Sequence, residues 1–438
     1  MIGQTWPEYV FIRLSILVLR LVASLSIIYL VASYYAGTFL WSSTLGFYAL
    51  VEAAFFLFVY LPRRSYMQRD AQHPPRMSRA QREELFHNWF IRTSGSRILR
   101  DNVVDWLLWA LFSSPWEEEL DYYISVMGTH VGYPLTRGAN NEMQCLRITM
   151  DPVHMLHRPF IWYMIVCLVD ILTSISLYSQ GFIHHNTRKW FHAFPPRPIP
   201  YWYRPHRSHT KLPILFIHGI GIGLWPYLSF LRELTTQDPD VGIIAIEILP
   251  ISMHITAPPL ARDAMCDAIT GILRAHGLRR VVVTGHSYGT VVAAHLLLEI
   301  AAVFLIDPIP FLLHHPSVAY NFVYRPPRHA NEWQLWYFAS RDADIARALG
   351  RHFFWFESIL FREDVLLLSS SSPPPPLPVA VSLGGRDQVL DARSVHAYLT
   401  GASLNILFFP ELDHASVFEA RQDRVALLEV LSRFVRHG

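Results

Sequence analysis

Five residues in the second half of the chain, Gly285-His-Ser287-Tyr-Gly289, have the types and spacing that can turn a serine into a nucleophile. The apolar run Val281 to Thr284 reads as a strand leading into them, and the pattern from Thr290 to Ile300 reads as a helix leading out. A hydroxyl lying flat in a helix cannot attack a carbonyl. A tight strand-to-helix turn lifts it clear, and flanking glycines let the backbone make that turn without side-chain collisions. The following helix also aims its first N–H groups at the place where negative charge would develop. Ser287 is therefore the expected nucleophile.

Such a serine needs a base to take and return its proton, and the base needs an orienting carboxylate. Both are expected at the carboxyl ends of later strands. The run Val379 to Leu383 ends in Gly384-Gly-Arg-Asp387, and Leu404 to Phe409 ends in Pro410-Glu-Leu-Asp413-His414, before a last amphipathic helix from Val417 to Val435. His414 is the expected base and Asp387 the expected acid. Asp391 and Asp413 compete nearby, and Asp307, at the end of the strand Val303 to Ile306, is the alternative acid. Two N–H donors must hold the oxyanion. Tyr288, just after the serine, supplies one, and Ile220 in the loop Phe216-Ile-His218-Gly219-Ile220-Gly221-Ile-Gly223 supplies the other. These glycines fit neither a phosphate-binding loop nor a dinucleotide fingerprint.

The elements that position these groups form a series of short apolar strands, Leu212 to Ile217, Gly242 to Leu249 and the four named above. They alternate with helical stretches such as Leu260 to Ala275. That alternation predicts a mostly parallel sheet covered on both faces. The catalytic unit spans residues 201–438, with an insertion at about 308–370 closed by the low-complexity stretch Ser369 to Pro378. A proline-rich joint, Phe194-Pro-Pro-Arg-Pro-Ile-Pro200, separates it from a helical module over 66–200, because proline cannot continue a helix.

Residues 1–65 have a different texture. No charged side chain occurs between Arg20 and Glu52, and Leu21 to Leu40 alone is long enough to cross about 30 Å of hydrocarbon. Thr44 to Leu61 is a second such stretch, but Glu52 near its middle is costly there unless a partner group meets it. A cleaved signal peptide fits poorly, since the apolar region exceeds an ordinary signal core and the first dozen residues contain Glu8 but no net positive charge. Arg13 and Arg20 before the first stretch, and Arg63, Arg64, Arg69 and Arg76 after the second, predict a hairpin with both ends and the catalytic unit in the cytosol. A third apolar run, Phe160 to Ser179, is interrupted by Asp170, which reads as a paired or capped acid.

The whole chain has 438 residues, 52% hydrophobic and only 16% charged, with a net charge of +2. This excludes disorder and a highly charged nucleic-acid binder. Cys145, Cys167 and Cys266 form no CxxC pair, and no N-glycosylation sequon occurs, in keeping with a reducing compartment. His184, His185 and His192 lack the paired spacing of a zinc site. No metal and no cofactor is expected, and the oligomeric state stays open.

Through His218-Gly219, Gly285-His-Ser287-Tyr-Gly289, Asp387 and His414, the stretch from Leu212 to Gly438 resembles the α/β-hydrolase superfamily. The resemblance implies an eight-stranded, mostly parallel sheet, a cap formed by the insertion, and an ester, thioester or lipid-ester substrate. Aromatics in that insertion, among them Trp333, Trp336, Phe353 and Trp355, imply an apolar pocket. With its amino-terminal hairpin and the run from Asp307-Pro-Ile-Pro-Phe311 to Ala319-Tyr-Asn-Phe-Val323, the whole chain is similar to fungal membrane-associated serine hydrolases, some of which serve specialised-metabolite biosynthesis. The expected function is a membrane-anchored serine hydrolase acting on an apolar acyl ester beside the lipid bilayer. An acyltransferase using the same three residues, or a catalytically silent membrane scaffold, are the alternatives.

Overall fold

The computed structural model describes residues 2–89, 99–112, 119–140, 145–185, 199–296, 300–370, 377–401 and 404–436. His192, residues 194–198 of the first joint and residues 371–376 of the second lie outside them.

At the centre is one eight-stranded sheet: β1 (Ile183–His185), β2 (Tyr201–Arg204), β3 (Ile214–Ile217), β4 (Ile243–Ile246), β5 (Val282–His286), β6 (Ala302–Ile306), β7 (Val379–Gly384) and β8 (Asn405–Phe409). The spatial order is β1-β2-β4-β3-β5-β6-β7-β8. Pairing is antiparallel from β1 to β2 and from β2 to β4, and parallel everywhere else. Each central strand is apolar on both faces because helices cover both. In β3, Leu215 and Ile217 share a core with Ile269 and Ile272 of the helix Arg262–Ala275. Ile214 and Phe216 share the opposite core with Phe230 of Leu228–Gln237 and Leu431 of Arg421–Arg436.

The expected mostly parallel sheet is present, with an antiparallel edge that the sequence did not announce. β1 lies upstream of the proline-rich joint, so the sheet begins before the point at which sequence texture divides helical module from catalytic unit. Three residues, two of them histidine, carry no readable periodicity; pairing with Tyr201 to Tyr203 makes them a strand.

Among the described residues, three helices are long and apolar enough to cross a membrane: α1 (Trp6–Ala36), α2 (Ser43–Met67) and α3 (Phe160–Ser179). Helix α1 opens with a capping box between Thr5 and Glu8 and ends at Gly37, whose left-handed φ of 69° suits a residue without Cβ. Ser42 caps α2 by accepting from Leu45 N–H at 3.1 Å, and the Tyr29 hydroxyl donates to the Leu40 carbonyl across the turn. The hairpin also grips the insertion over the sheet. Ile12 and Ile16 pack with Ala330 and Tyr337, Arg13 stacks on the Trp333 ring at 4.0 Å, and Arg63 pairs with Asp344 at 2.7 Å.

Glu52 is fully buried, and three donors meet it: Tyr48 hydroxyl and His157 Nε2, each at 3.1 Å, and the Phe160 backbone N–H at 2.8 Å. The last is the first N–H of α3, so this carboxylate caps a helix amino terminus, where a negative charge is favourable. An acid that sequence marks as costly is thereby the bolt between the second and third apolar helices. Replacing Glu52 by leucine should strand the Phe160 N–H and the His157 ring in apolar surroundings, at about 1–3 kcal/mol for each unmet donor. Thermal unfolding in detergent should show a lowered midpoint, and an unshifted one would deny Glu52 that role.

Candidate active site

The residues expected to do chemistry are gathered at the carboxyl ends of β3, β5, β6, β7 and β8. Ser287 follows β5 directly and begins the helix α4 (Tyr288–His295) with φ 52° and ψ −122°, a left-handed backbone that a side-chain-bearing residue adopts only under constraint. The constraint is visible. A Cβ on Gly285 would lie 2.6 Å from the Gly289 carbonyl oxygen, and one on Gly289 would collide with the carbonyl of Ile217. Gly219 is equally hemmed in, since a Cβ there would lie 2.7 Å from both Ser287 Cβ and His286 Nδ1. Three glycines thus permit β3, β5 and α4 to converge beneath one raised hydroxyl.

His414 Nε2 lies 2.9 Å from Ser287 Oγ, and its Nδ1 lies 2.6 Å from Asp387 Oδ2. The other oxygen of Asp387 accepts the N–H groups of Val389 at 2.7 Å and Leu390 at 3.0 Å, which fixes the carboxylate's rotation. With Nδ1 donating to Asp387, Nε2 is left to accept from the serine. The other carboxylates are engaged elsewhere. Asp391 caps the helix Ala392–Leu399. Asp413 braces the histidine loop by accepting from Gln388 N, Gln388 Nε2, His414 N and Asn331 Nδ2.

Asp307 sits behind the imidazole. Its Oδ1 accepts from Gly384 N–H at 3.0 Å and its Oδ2 from Ala415 N–H at 2.9 Å. It therefore ties the end of β6 to the loops carrying both Asp387 and His414. Asp307, Asp387 and His414 place their polar atoms within 4.8 Å of one another. Such a trio has the donor types of a metal site; in this structure two backbone N–H groups point at Asp307 and one nitrogen of His414 at Asp387.

The electrostatics follow from that crowding. Burial by itself would lower the pKa of His414, but the carboxylates of Asp387 and Asp307 outweigh it and raise the imidazole above its ordinary value. Burial pushes Asp307 upward, yet His286, His414 and the Ala415 N–H prevail and keep it below the ordinary range. His286 goes the other way, down to about 4, chiefly through burial. It is a neutral ring held by the Tyr227 hydroxyl at 2.7 Å, and that same hydroxyl accepts the Gly219 N–H at 3.1 Å. Sequence reasoning missed Tyr227, His286, Gln388 and Asn331 as braces. Only His286, inside the elbow motif, carried any local signal.

Ile220 and Tyr288, the expected oxyanion donors, both line the pocket into which Ser287 opens. Tyr288 is the first residue of α4, so its N–H has no carbonyl a turn earlier to bond. The pocket encloses about 690 Å³ including its open mouth, and its walls include Phe322, Phe353 and Trp355 of the insertion and Trp109 of the helical module. Among the described residues, no charged side chain lines it. His184 and His185, weighed earlier as metal ligands, are instead stacked on Trp202 and Tyr201.

Residues 214–427 match the model of the alpha/beta hydrolase family. Among solved structures, the chain is similar to a bacterial membrane phospholipase A, with 18% identity over 64% of this chain and 94% of that one and a TM-score of 0.43. It is also similar to the carboxylesterase CesB of Bacillus subtilis, with 11% identity over 62% and 99% and a TM-score of 0.43. The naproxen esterase of Bacillus subtilis shows 12% identity over 61% and 96% and a TM-score of 0.39. No curated protein matches the chain.

The geometry separates the two acids by experiment. If Asp387 orients the base, Asp387→Asn should lower kcat about 10⁴-fold by favouring the wrong tautomer. Asp307→Asn should cost far less, and by removing a charge that raises the His414 pKa it should move the acid limb of kcat/KM to lower pH. The reverse ranking in a pH-rate series would make Asp307 the orienting acid.

Proposed function

We propose, on the premise of the α/β-hydrolase fold and of amino-terminal helices apolar enough to span a membrane, that the chain is a membrane-anchored serine hydrolase that cleaves an acyl ester of an apolar substrate. The observation that carries this reading is the unbroken line from Asp387 through His414 to Ser287, opening into a pocket without charged walls.

In the proposed reaction His414 Nε2 takes the proton of Ser287 Oγ as the oxygen attacks the acyl carbonyl carbon. The N–H groups of Tyr288 and Ile220 receive the negative oxygen, typically worth about 3–4 kcal/mol for each donor. Collapse breaks the ester bond, and His414 returns the proton to the departing alcohol. The acyl group remains on Ser287. Water then loses a proton to the same imidazole, attacks the acyl carbon and releases the acid. Asp387 stays ionised and holds the ring while its charge comes and goes.

The walls indicate what the acyl or alcohol part must be. A site lined by Trp109, Phe322, Phe353 and Trp355 offers no partner to a charged head group, so burying one there would cost several kcal/mol. Hydrocarbon is what it accommodates. A catalytic unit tethered by α1 and α2 meets such molecules in the bilayer without drawing them into water, with the body on the cytosolic side that flanking arginines favour. We extend the proposal to esters of specialised metabolism on the ground of the sequence resemblance to fungal membrane-associated serine hydrolases, some of which serve such pathways.

The test uses the full chain in detergent with esters of graded apolar character. Ser287→Ala should lose most of an enhancement of about 10⁶-fold and should no longer react with a fluorophosphonate probe that labels the unaltered protein. Free acid should be the main product even when an alcohol acceptor is supplied, whereas dominant transfer to the acceptor would favour the acyltransferase. Undiminished cleavage by Ser287→Ala would overturn the mechanism, and an unlabelled, inactive native chain would favour a silent scaffold.

A further inference from the structure

Helix α3 qualifies by length and composition as a membrane span, yet both its ends are fastened to the same body. Just before its amino end, Leu156 N–H donates to the Arg341 carbonyl at 2.9 Å, and Arg158 donates to the Tyr337 carbonyl while stacking on the Tyr337 ring at 3.8 Å. Both partners belong to the insertion, which is itself bonded to the sheet's catalytic loops through Asn331 to Asp413 and Arg325 to the Gln388 carbonyl. At its carboxyl end the chain turns at Gly181 and enters β1 of the sheet. A helix of 20 residues is about 30 Å long, which only just equals the hydrocarbon thickness. A crossing helix of that length would have to deliver its ends to opposite sides.

The two faces of α3 differ as a helix lying along a body requires. On the inner face, Val166 and Leu177 are buried, Trp162 meets Phe338 with ring centres 4.9 Å apart, Asp170 pairs with His254 at 2.8 Å, and Ser176 accepts from Arg232. The outer face shows Met164, Ile165, Leu168, Leu172, Ile175 and Tyr178, each between 42% and 61% exposed. Steps of one, three and four residues keep these on one side of the helix, and no charged residue interrupts them. So large an apolar stripe on one face marks a surface that something covers.

We propose that α3 does not cross the membrane but rests its apolar stripe in the near leaflet of the bilayer, as a second, in-plane attachment rigidly joined to the catalytic sheet. Lipid is the occupant because the stripe is continuous with surfaces of the same kind. At its amino end α3 is capped by Glu52 of α2, and Phe55 of α2 lies 5.6 Å from the Phe160 ring and 5.5 Å from that of Tyr163. Helix α2 in turn exposes Leu50, Leu57 and Phe58, and α1 exposes Leu17, Leu21 and Leu25. A hairpin that enters lipid therefore brings the start of α3 with it. An interfacial helix of this type binds through its buried apolar area. The inference goes beyond the hydrolase reading and does not need it.

Depth-dependent quenching tests it on the full chain in phosphatidylcholine vesicles. With Cys145, Cys167 and Cys266 replaced by serine, an environment-sensitive fluorophore is attached in turn at Met164→Cys, Leu168→Cys and Ile175→Cys, and at Val425→Cys, an exposed position on the helix Arg421–Arg436, as a control. The expected result is quenching of the three α3 positions by nitroxide lipids, stronger for a nitroxide near the head group than for one at the acyl terminus, with the control unquenched. Strongest quenching of any α3 position by the deep nitroxide would show insertion or crossing and overturn the proposal. No lipid quenching of α3 would also overturn it, leaving a protein surface as the cover. Neither outcome depends on ester cleavage.

Discussion

One steric constraint holds the site together: the closeness of the backbone around Ser287. The carbonyl of Ile217 at the end of β3 leaves no room for a side chain at Gly289, and the Gly289 carbonyl leaves none at Gly285. Between them Ser287 is forced to φ 52°, with its N–H tied to the Ile306 carbonyl at 3.0 Å. Such a conformation costs of the order of 1–3 kcal/mol and persists only where surrounding structure fixes it. The parallel register of β3, β5 and β6 supplies that fixation. Everything downstream, from the reach of His414 to the direction of the pocket, is measured from this hydroxyl.

A second layer keeps Asp387 and His414 in step with the turn at Ser287. Asp307 grips the loops bearing Asp387 and His414 by their backbone, and Asp413 grips the histidine loop from the other side through Gln388 and Asn331. Asn331 belongs to the insertion, and the insertion is held in turn by Ile12, Ile16, Arg13 and Arg63 of the hairpin helices. The apolar helices are thus packed into the same structure that closes the pocket rather than hung from it by a free linker. This explains why Trp109 of the helical module can line the site together with residues more than two hundred positions away.

Legibility in the sequence followed the range of the interactions involved. The elbow was readable because a strand, a G-x-S-x-G turn and a helix are adjacent in the chain, and the six strands later seen as β3 to β8 were readable as continuous apolar runs. Strands β1 and β2 were not, since pairing alone makes them strands. Glu52 could be flagged as costly, but its three partners come from residues 48, 157 and 160, and only folding brings the last two near it. Asp307 was visible as an acid at a strand end, while its bonds to Gly384 and Ala415 depend on loops that lie 77 and 108 residues further along. The apolar run of α3 was plain. That one of its faces packs on the sheet domain was not, because the partners that meet Asp170 and Ser176 on that face, His254 and Arg232, lie more than fifty residues further along.

The most direct test of the account is a crystal structure of the full chain after reaction with an alkyl fluorophosphonate. The account predicts phosphorus bonded to Ser287 Oγ, its free oxygen between the N–H groups of Tyr288 and Ile220, and its alkyl chain running along Phe353 and Trp355. Phosphorus on another residue, or an oxygen turned away from both N–H groups, would contradict it.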